Sequence, residues 1–138
     1  MSNYLQQPKH GWSAFKLQDD CWPLSYVDDV PVMILDLFLN FYRFGTAAVT
    51  FDAEETEYVF VMTPYEVQII EEDLHRYEIS AESFISDVIN DIREQHQEWV
   101  MFTVLDEENY VEIQRHRAEI DARLCMVQQC QKTNIRKE

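Results

Sequence analysis

A single α+β domain, with a mostly antiparallel β-sheet packed against a central hydrophobic helix and further helices, is the architecture this chain of 138 residues predicts. Three observations carry it. Val30 to Phe44 is apolar except for Asp36, Asn40 and Arg43, spaced i, i+4 and i+7, so a helix there has one narrow polar stripe and must be covered elsewhere. Residues 46–63 then change period: Val49, Phe51, Tyr58, Phe60 and Met62 alternate with smaller or polar neighbours, as strands buried on one face do. From Ser80 the helical period returns, with Phe84, Ile85, Val88, Ile89 and Ile92 on one stripe. No repeat, low-complexity run or linker divides residues 1–138.

In chain order, residues 1–11 are polar, carry Pro8 and Gly11, and read as a loose arm. Trp12, Phe15, Trp22 and Tyr26 follow without a clean period, which suggests a short strand or an irregular packing segment. The Val30–Phe44 helix is marked at both ends: Asp29 can cap it, Pro31 suits its first turn, and Gly45 can supply the left-handed residue that ends it. It falls short of the roughly 20 apolar residues a bilayer span needs, and is read as a core helix. Thr46–Asp52 and Glu57–Thr63, joined by the acidic turn around Glu54, Glu55 and Thr56, form an antiparallel hairpin.

Residues 63–77 admit two readings. Thr63, Pro64 and Glu66 resemble a capping box ahead of a helical Val67, Ile70, Leu74 and Tyr77. Tyr65, Val67 and Ile69 also alternate with Glu66 and Gln68, and a third strand followed by a turn over Glu71–His75 extends the hairpin into a meander. The strand is preferred. Ser80 opens an amphipathic helix that fades near Gln97, with Glu82, Asp87, Asp91 and Glu94 on or near its outer face. Trp99–Leu105 reads as another strand, and Asp106–Asn109 as a turn. Beyond it, Tyr110, Ile113, Ile120, Leu124 and Val127 mark a C-terminal helix to about Gln129, against the alternative of a return strand through Ile113. A frayed tail is expected over 132–138.

Charge is the unusual quantity. The chain carries 26 acidic and 11 basic residues, a net charge of -15. The segment before Leu17 holds +2 and the segment from Ile113 holds +3, so the body between them carries -20. Such a surface repels nucleic acid and anionic lipid and attracts basic partners. Cys21, Cys125 and Cys130 form no CxxC pair or framework and read as reduced thiols of a cytoplasmic protein; residues 1–11 carry no apolar h-region of a secretory signal.

The familiar site chemistries find little support. Gly11 and Gly45 are the only glycines, which excludes a Walker loop and a dinucleotide fingerprint. His10, His75, His96 and His116 are dispersed; Glu71, Asp73 and His75 are close in sequence but read as solvated surface, so no metal and no cofactor is expected. Cys21 lies beside Asp19 and Asp20, whose charges oppose a thiolate, so it is a poor nucleophile candidate. The serines lack a nucleophile elbow, and carboxylate pairs are too common here to mean anything. An enzyme is not expected. What remains is an acidic surface threaded with aromatics, suited to steering and anchoring a basic protein: Asp52, Glu54, Glu55, Glu57 and Tyr58 at the hairpin, Tyr65, Glu71, Glu72, Asp73, Tyr77 and Glu78 beyond it, and Asp87 and Asp91 on the helix.

The segment Phe51 to Phe102 carries a likeness. Its hairpin ending in Tyr58-Val59-Phe60-Val61-Met62-Thr63, its run Glu66-Val67-Gln68-Ile69-Ile70-Glu71-Glu72-Asp73-Leu74 and its acidic helix Ser80 to Gln97 resemble small immunity proteins of bacterial contact-dependent inhibition and related polymorphic toxin systems. The resemblance rests on size, acidity and element order. It implies a cytoplasmic, non-catalytic protein that binds one cognate toxin domain, often a basic nuclease, and occludes its active site. The mildly basic C-terminal segment departs from a uniformly acidic inhibitor. Two other readings stand beside it: a nucleic-acid mimic that blocks DNA-binding proteins in general, and an adaptor or oligomerisation module using the Val30–Phe44 surface.

Overall fold

A computed structural model of the chain describes residues 4–137, with side chains as far as Thr133. The element order is β1 (Trp12–Leu17), β2 (Asp20–Ser25), α1 (Val30–Phe44), β3 (Ala47–Asp52), β4 (Glu57–Met62), β5 (Glu66–Ile70), β6 (Leu74–Glu78), α2 (Ala81–Glu94), α3 (His96–Met101) and α4 (Tyr110–Lys137). The fold is the expected α+β domain, built on a two-stranded and a four-stranded antiparallel sheet, the second in the order β3-β4-β5-β6.

Helix α1 is the hub, with the boundaries its sequence marks. Val30, Ile34, Leu35, Leu37, Phe38 and Phe41 are buried, and Gly45 adopts φ 82°, its N–H bonded to the Phe41 carbonyl. Asp29 precedes the helix but makes no side-chain cap; its carboxylate turns to His116 instead. The inner face of the four-stranded sheet presents Phe51, Tyr58, Phe60, Met62, Val67, Ile69 and Tyr77 to the core, as period-two alternation requires. Rings from three elements close over it: Phe15 of β1 lies 4.8 Å from Phe60, Phe84 of α2 lies 5.6 Å from Phe60, and Phe38 of α1 meets Phe84 edge-on at 6.0 Å. Each such pair adds roughly 0.5–1.5 kcal/mol beyond its burial.

The strand reading of residues 63–77 holds, and it yields two strands. The capping-box residues close a hairpin turn: Thr63 N–H donates to the Glu66 carbonyl at 3.0 Å and Glu66 N–H to Thr63 Oγ1 at 3.1 Å. β6 follows a turn over Glu71–Asp73. Residues 12–26 form a regular hairpin, β1 and β2, that crosses the inner face of the larger sheet. β2 touches β6 where Trp22 meets His75 edge-on at 4.9 Å, passes β4 where the Tyr58 hydroxyl donates to the Pro23 carbonyl at 2.8 Å, and ends where Ser25 Oγ donates to Glu54 at 2.6 Å.

Four expectations are corrected. The loose arm docks from Tyr4 onward: Leu5 and Pro8 are buried, and Gln6 and Lys16 N–H groups bond across β1 to Ala14 and Tyr4 carbonyls at 2.9 and 2.7 Å. Met1–Asn3 lie outside the described residues. Trp99–Leu105 is no strand; Trp99 and Val100 are both buried although adjacent, which a helix face permits and strand alternation does not, and α3 carries them. A break at Gln95 separates α3 from α2, so the amphipathic helix ends at Glu94 rather than near Gln97. Finally, α4 begins at Tyr110 without an intervening strand, capped by Asn109, and its backbone is helical through Lys137 rather than frayed from Lys132; Glu138 and the side chains beyond Thr133 lie outside the description.

Candidate protein interface

Helices α1 and α4 run parallel. Asp29 holds His116 at 2.8 Å and Asp36 holds Arg123 at 2.8 Å, the same offset in sequence, so the helices stay in step for two turns. α2 returns antiparallel to α1, with Tyr42 meeting Glu82 and Phe38 meeting Phe84. The start of α1, the end of α2 and the start of α4 therefore share one end of the molecule.

The same end collects acid from the sheet. In an antiparallel meander the first and third turns lie together, which juxtaposes the β3–β4 turn with the β5–β6 turn; Thr56 Oγ1 donates to Glu71 across them at 3.3 Å. Asp52, Glu54, Glu55 and Glu57 thus meet Glu71, Glu72 and Asp73, and no Lys or Arg occurs between Arg43 and Arg76 to offset them. Asp28 joins the group, accepting the Asp52 N–H at 2.7 Å. Burial pushes the Asp28 carboxyl above its ordinary pKa, the Asp52 N–H opposes this, and the Asp52 and Glu57 charges add to the rise. The β3–β4 turn is held firmly: Glu54 sits at φ 73°, strained for a residue with a Cβ, while its N–H bonds Asp52 at 2.8 Å and its carboxylate takes the Ser25 hydroxyl.

Beside these carboxylates lies the outer face of the four-stranded sheet. Register places Thr50, Val59, Ile70 and Leu74 in one row across all four strands, with Asp52 and Glu57 in the next row toward the acidic turns. Ile70 is 44% exposed and Leu74 54%. On the far side of the row, Arg76 grips Glu66 with bonds of 3.1 and 2.9 Å, which holds the Glu66 carboxyl below its usual range. The outer face of the sheet thus pairs an apolar strip with an acidic border.

The structure divides the sequence-derived contact residues. Asp52, Glu54, Glu55, Glu57, Glu71, Glu72 and Asp73 come together. Tyr65 and Glu78 fall at the opposite pole, where Tyr65 lines a groove of about 320 Å³ with Phe41, Tyr42, Pro64 and Glu82. Asp87 lies on α2 and is half-buried. Tyr58, Tyr77 and Asp91 are buried and are removed as surface contacts. Tyr58 and Tyr77 are core residues with satisfied hydroxyls: Tyr77 accepts Trp22 Nε1 at 2.9 Å and donates to Asp20 at 2.6 Å, and its pKa is pushed up to about 12, chiefly by burial. Asp28 and the Ile70–Leu74 pair were missed. Ile70 could have been found, since Val67 and Ile69 point inward and alternation turns their neighbour out.

Among the described residues, no group of three or more His, Cys, Asp and Glu is disposed to hold a metal ion, and no helix is long and apolar enough to cross a membrane. His75 faces Trp22 and not Glu71, which sits in the turn. No protein-family model, curated protein or solved structure matches the chain.

Proposed function

We propose that this protein is a cytoplasmic, non-catalytic immunity protein that binds a basic toxin domain, of the nuclease class, and occludes its active site with the acidic end of the four-stranded sheet. The observation that carries the reading is the convergence of seven sequence-separated carboxylates, joined by Asp28, on rigid turns beside an uncovered apolar row. A nuclease must present cations to a polyanion, so a fixed array of carboxylates competes for the same surface. The row from Thr50 to Leu74 supplies the area that can be desolvated, and the acid sets orientation and association rate.

The reading is tested by adding the protein to nuclease domains of toxins from its source cell. The cognate nuclease loses its activity at an equimolar ratio while unrelated nucleases keep theirs. Undiminished cleavage with every candidate contradicts the proposal, and equal inhibition of many unrelated DNA-binding enzymes supports a general nucleic-acid mimic in its place.

A further inference from the structure

The corner between α3 and α4 exposes three large apolar side chains within seven residues: Leu105 is 83% exposed, Tyr110 71% and Val111 81%. Large apolar groups concentrated at one solvent-facing point mark a contact surface far more often than scattered ones do. The corner is not a loose loop. Glu108 N–H bonds Asp106 Oδ1 at 2.9 Å, Asn109 N–H bonds the Asp106 carbonyl at 3.0 Å, and Asn109 Oδ1 accepts the Glu112 N–H at 3.2 Å. The backbone under the apolar group is thus fixed before anything binds, which lowers the entropic cost of docking.

Its position matters as much. Tyr110 lies six residues before His116, which is level with the start of α1, so about 9 Å of α4 projects past the hub helix at the end of the molecule where the acidic turns gather. Asp28 and Asp29, adjacent in the chain, reach to Asp52 and to His116, and so tie the two regions together. Asp106, Glu107, Glu108 and Glu112 flank the apolar trio along the chain, and the nearest cation on α4, Arg115, is paired with Glu119. Two such corners brought face to face repel, and anionic lipid is repelled equally, whereas a surface of Lys and Arg is attracted.

We infer that the α3–α4 corner is a preorganised anchor, which inserts Leu105, Tyr110 and Val111 into an apolar slot rimmed by Lys and Arg on a basic protein partner. The inference rests on the proposed function for the sign of the partner's charge, and adds a second contact region outside the sheet. Because the three side chains are exposed, replacing them leaves the core intact, which an unchanged melting temperature verifies.

The test uses the full chain, immobilised, and as probe the basic protein it retains from the source cell at low salt and releases at high salt. Leu105→Ser with Val111→Ser, and separately Tyr110→Ser, should each weaken that complex at least tenfold, mainly through faster dissociation, and leave its salt dependence unchanged. A photo-crosslinking residue at position 110 should join the probe at a segment where apolar residues are flanked by Lys or Arg, while the same residue at Gln129 should not. Variants that bind within twofold of the parent, or crosslinks only from Gln129, overturn the anchor and leave the proposed function standing. A probe whose nuclease activity is undiminished in the complex overturns the proposed function, and a chain that retains no basic protein overturns both.

Discussion

His116 shows how a single side chain ties the helices to the sheet end. It is buried on α4, with Nδ1 2.6 Å from the Val100 carbonyl of α3 and Nε2 2.8 Å from Asp29 ahead of α1. Both neighbours are acceptors, so both ring nitrogens donate only in the protonated imidazolium. Burial lowers its pKa, but the bonds to Asp29 and Val100 and the Asp29 charge outweigh burial and leave it raised above 6.5. The folded state therefore holds this proton more tightly than the unfolded chain. Its contribution is fully present below about pH 6.5, the unfolded value, and is lost as pH rises through the folded pKa. Chemical denaturation across that window should show stability falling with pH, and His116→Gln should flatten the fall while destabilising the protein by about 2 kcal/mol, less than a fully buried pair would cost because Asp29 is partly exposed. Tyr77 makes the converse point. Aromatic residues set among acids in the sequence suggested surface anchors, but the Tyr77 hydroxyl serves Trp22 and Asp20 inside the fold. Tyr77→Phe should cost about 1–3 kcal/mol in a denaturant titration, chiefly for the orphaned indole N–H of Trp22 since Asp20 is open to water, and leave affinity for the proposed partner unchanged.

Elements with one clear period and marked ends were legible, and elements without them were not. α1 combines an apolar run, Pro31 and Gly45, and all three signals agree on its span. Gly45→Ala meets no atom within 4 Å, so only the left-handed backbone opposes it, and a melting curve should show a loss of roughly 1–2 kcal/mol. A loss of several kcal/mol instead would mean that the terminus of α1 is held by packing. The β1–β2 hairpin was read only as a strand or irregular segment because its turn runs through Gln18 at φ 56° rather than an Asn-Gly pair, and Pro23 interrupts its second strand. Trp99–Leu105 was misread because an unbroken apolar run has no period to separate a buried strand from a short helix. α3 is helical because tertiary packing of Trp99 and Val100 decides it.

At the scale of the whole molecule, net charge was legible from composition and its geometry was not. Sequence order spreads Asp28, Asp52–Glu57 and Glu71–Asp73 over more than forty residues; only the meander brings them to one end of the sheet. Concentrating like charge there costs stability, which salt should return by screening, so the melting temperature should rise with ionic strength. The most direct test is the salt dependence of affinity for the proposed basic partner, measured for the parent chain and for Glu55→Lys with Glu72→Lys. The account predicts that parent affinity falls steeply with salt, and that the charge-reversed chain, still folded, binds at least tenfold more weakly with a shallower slope. Affinity that ignores salt, or is unchanged by the double reversal, would contradict it.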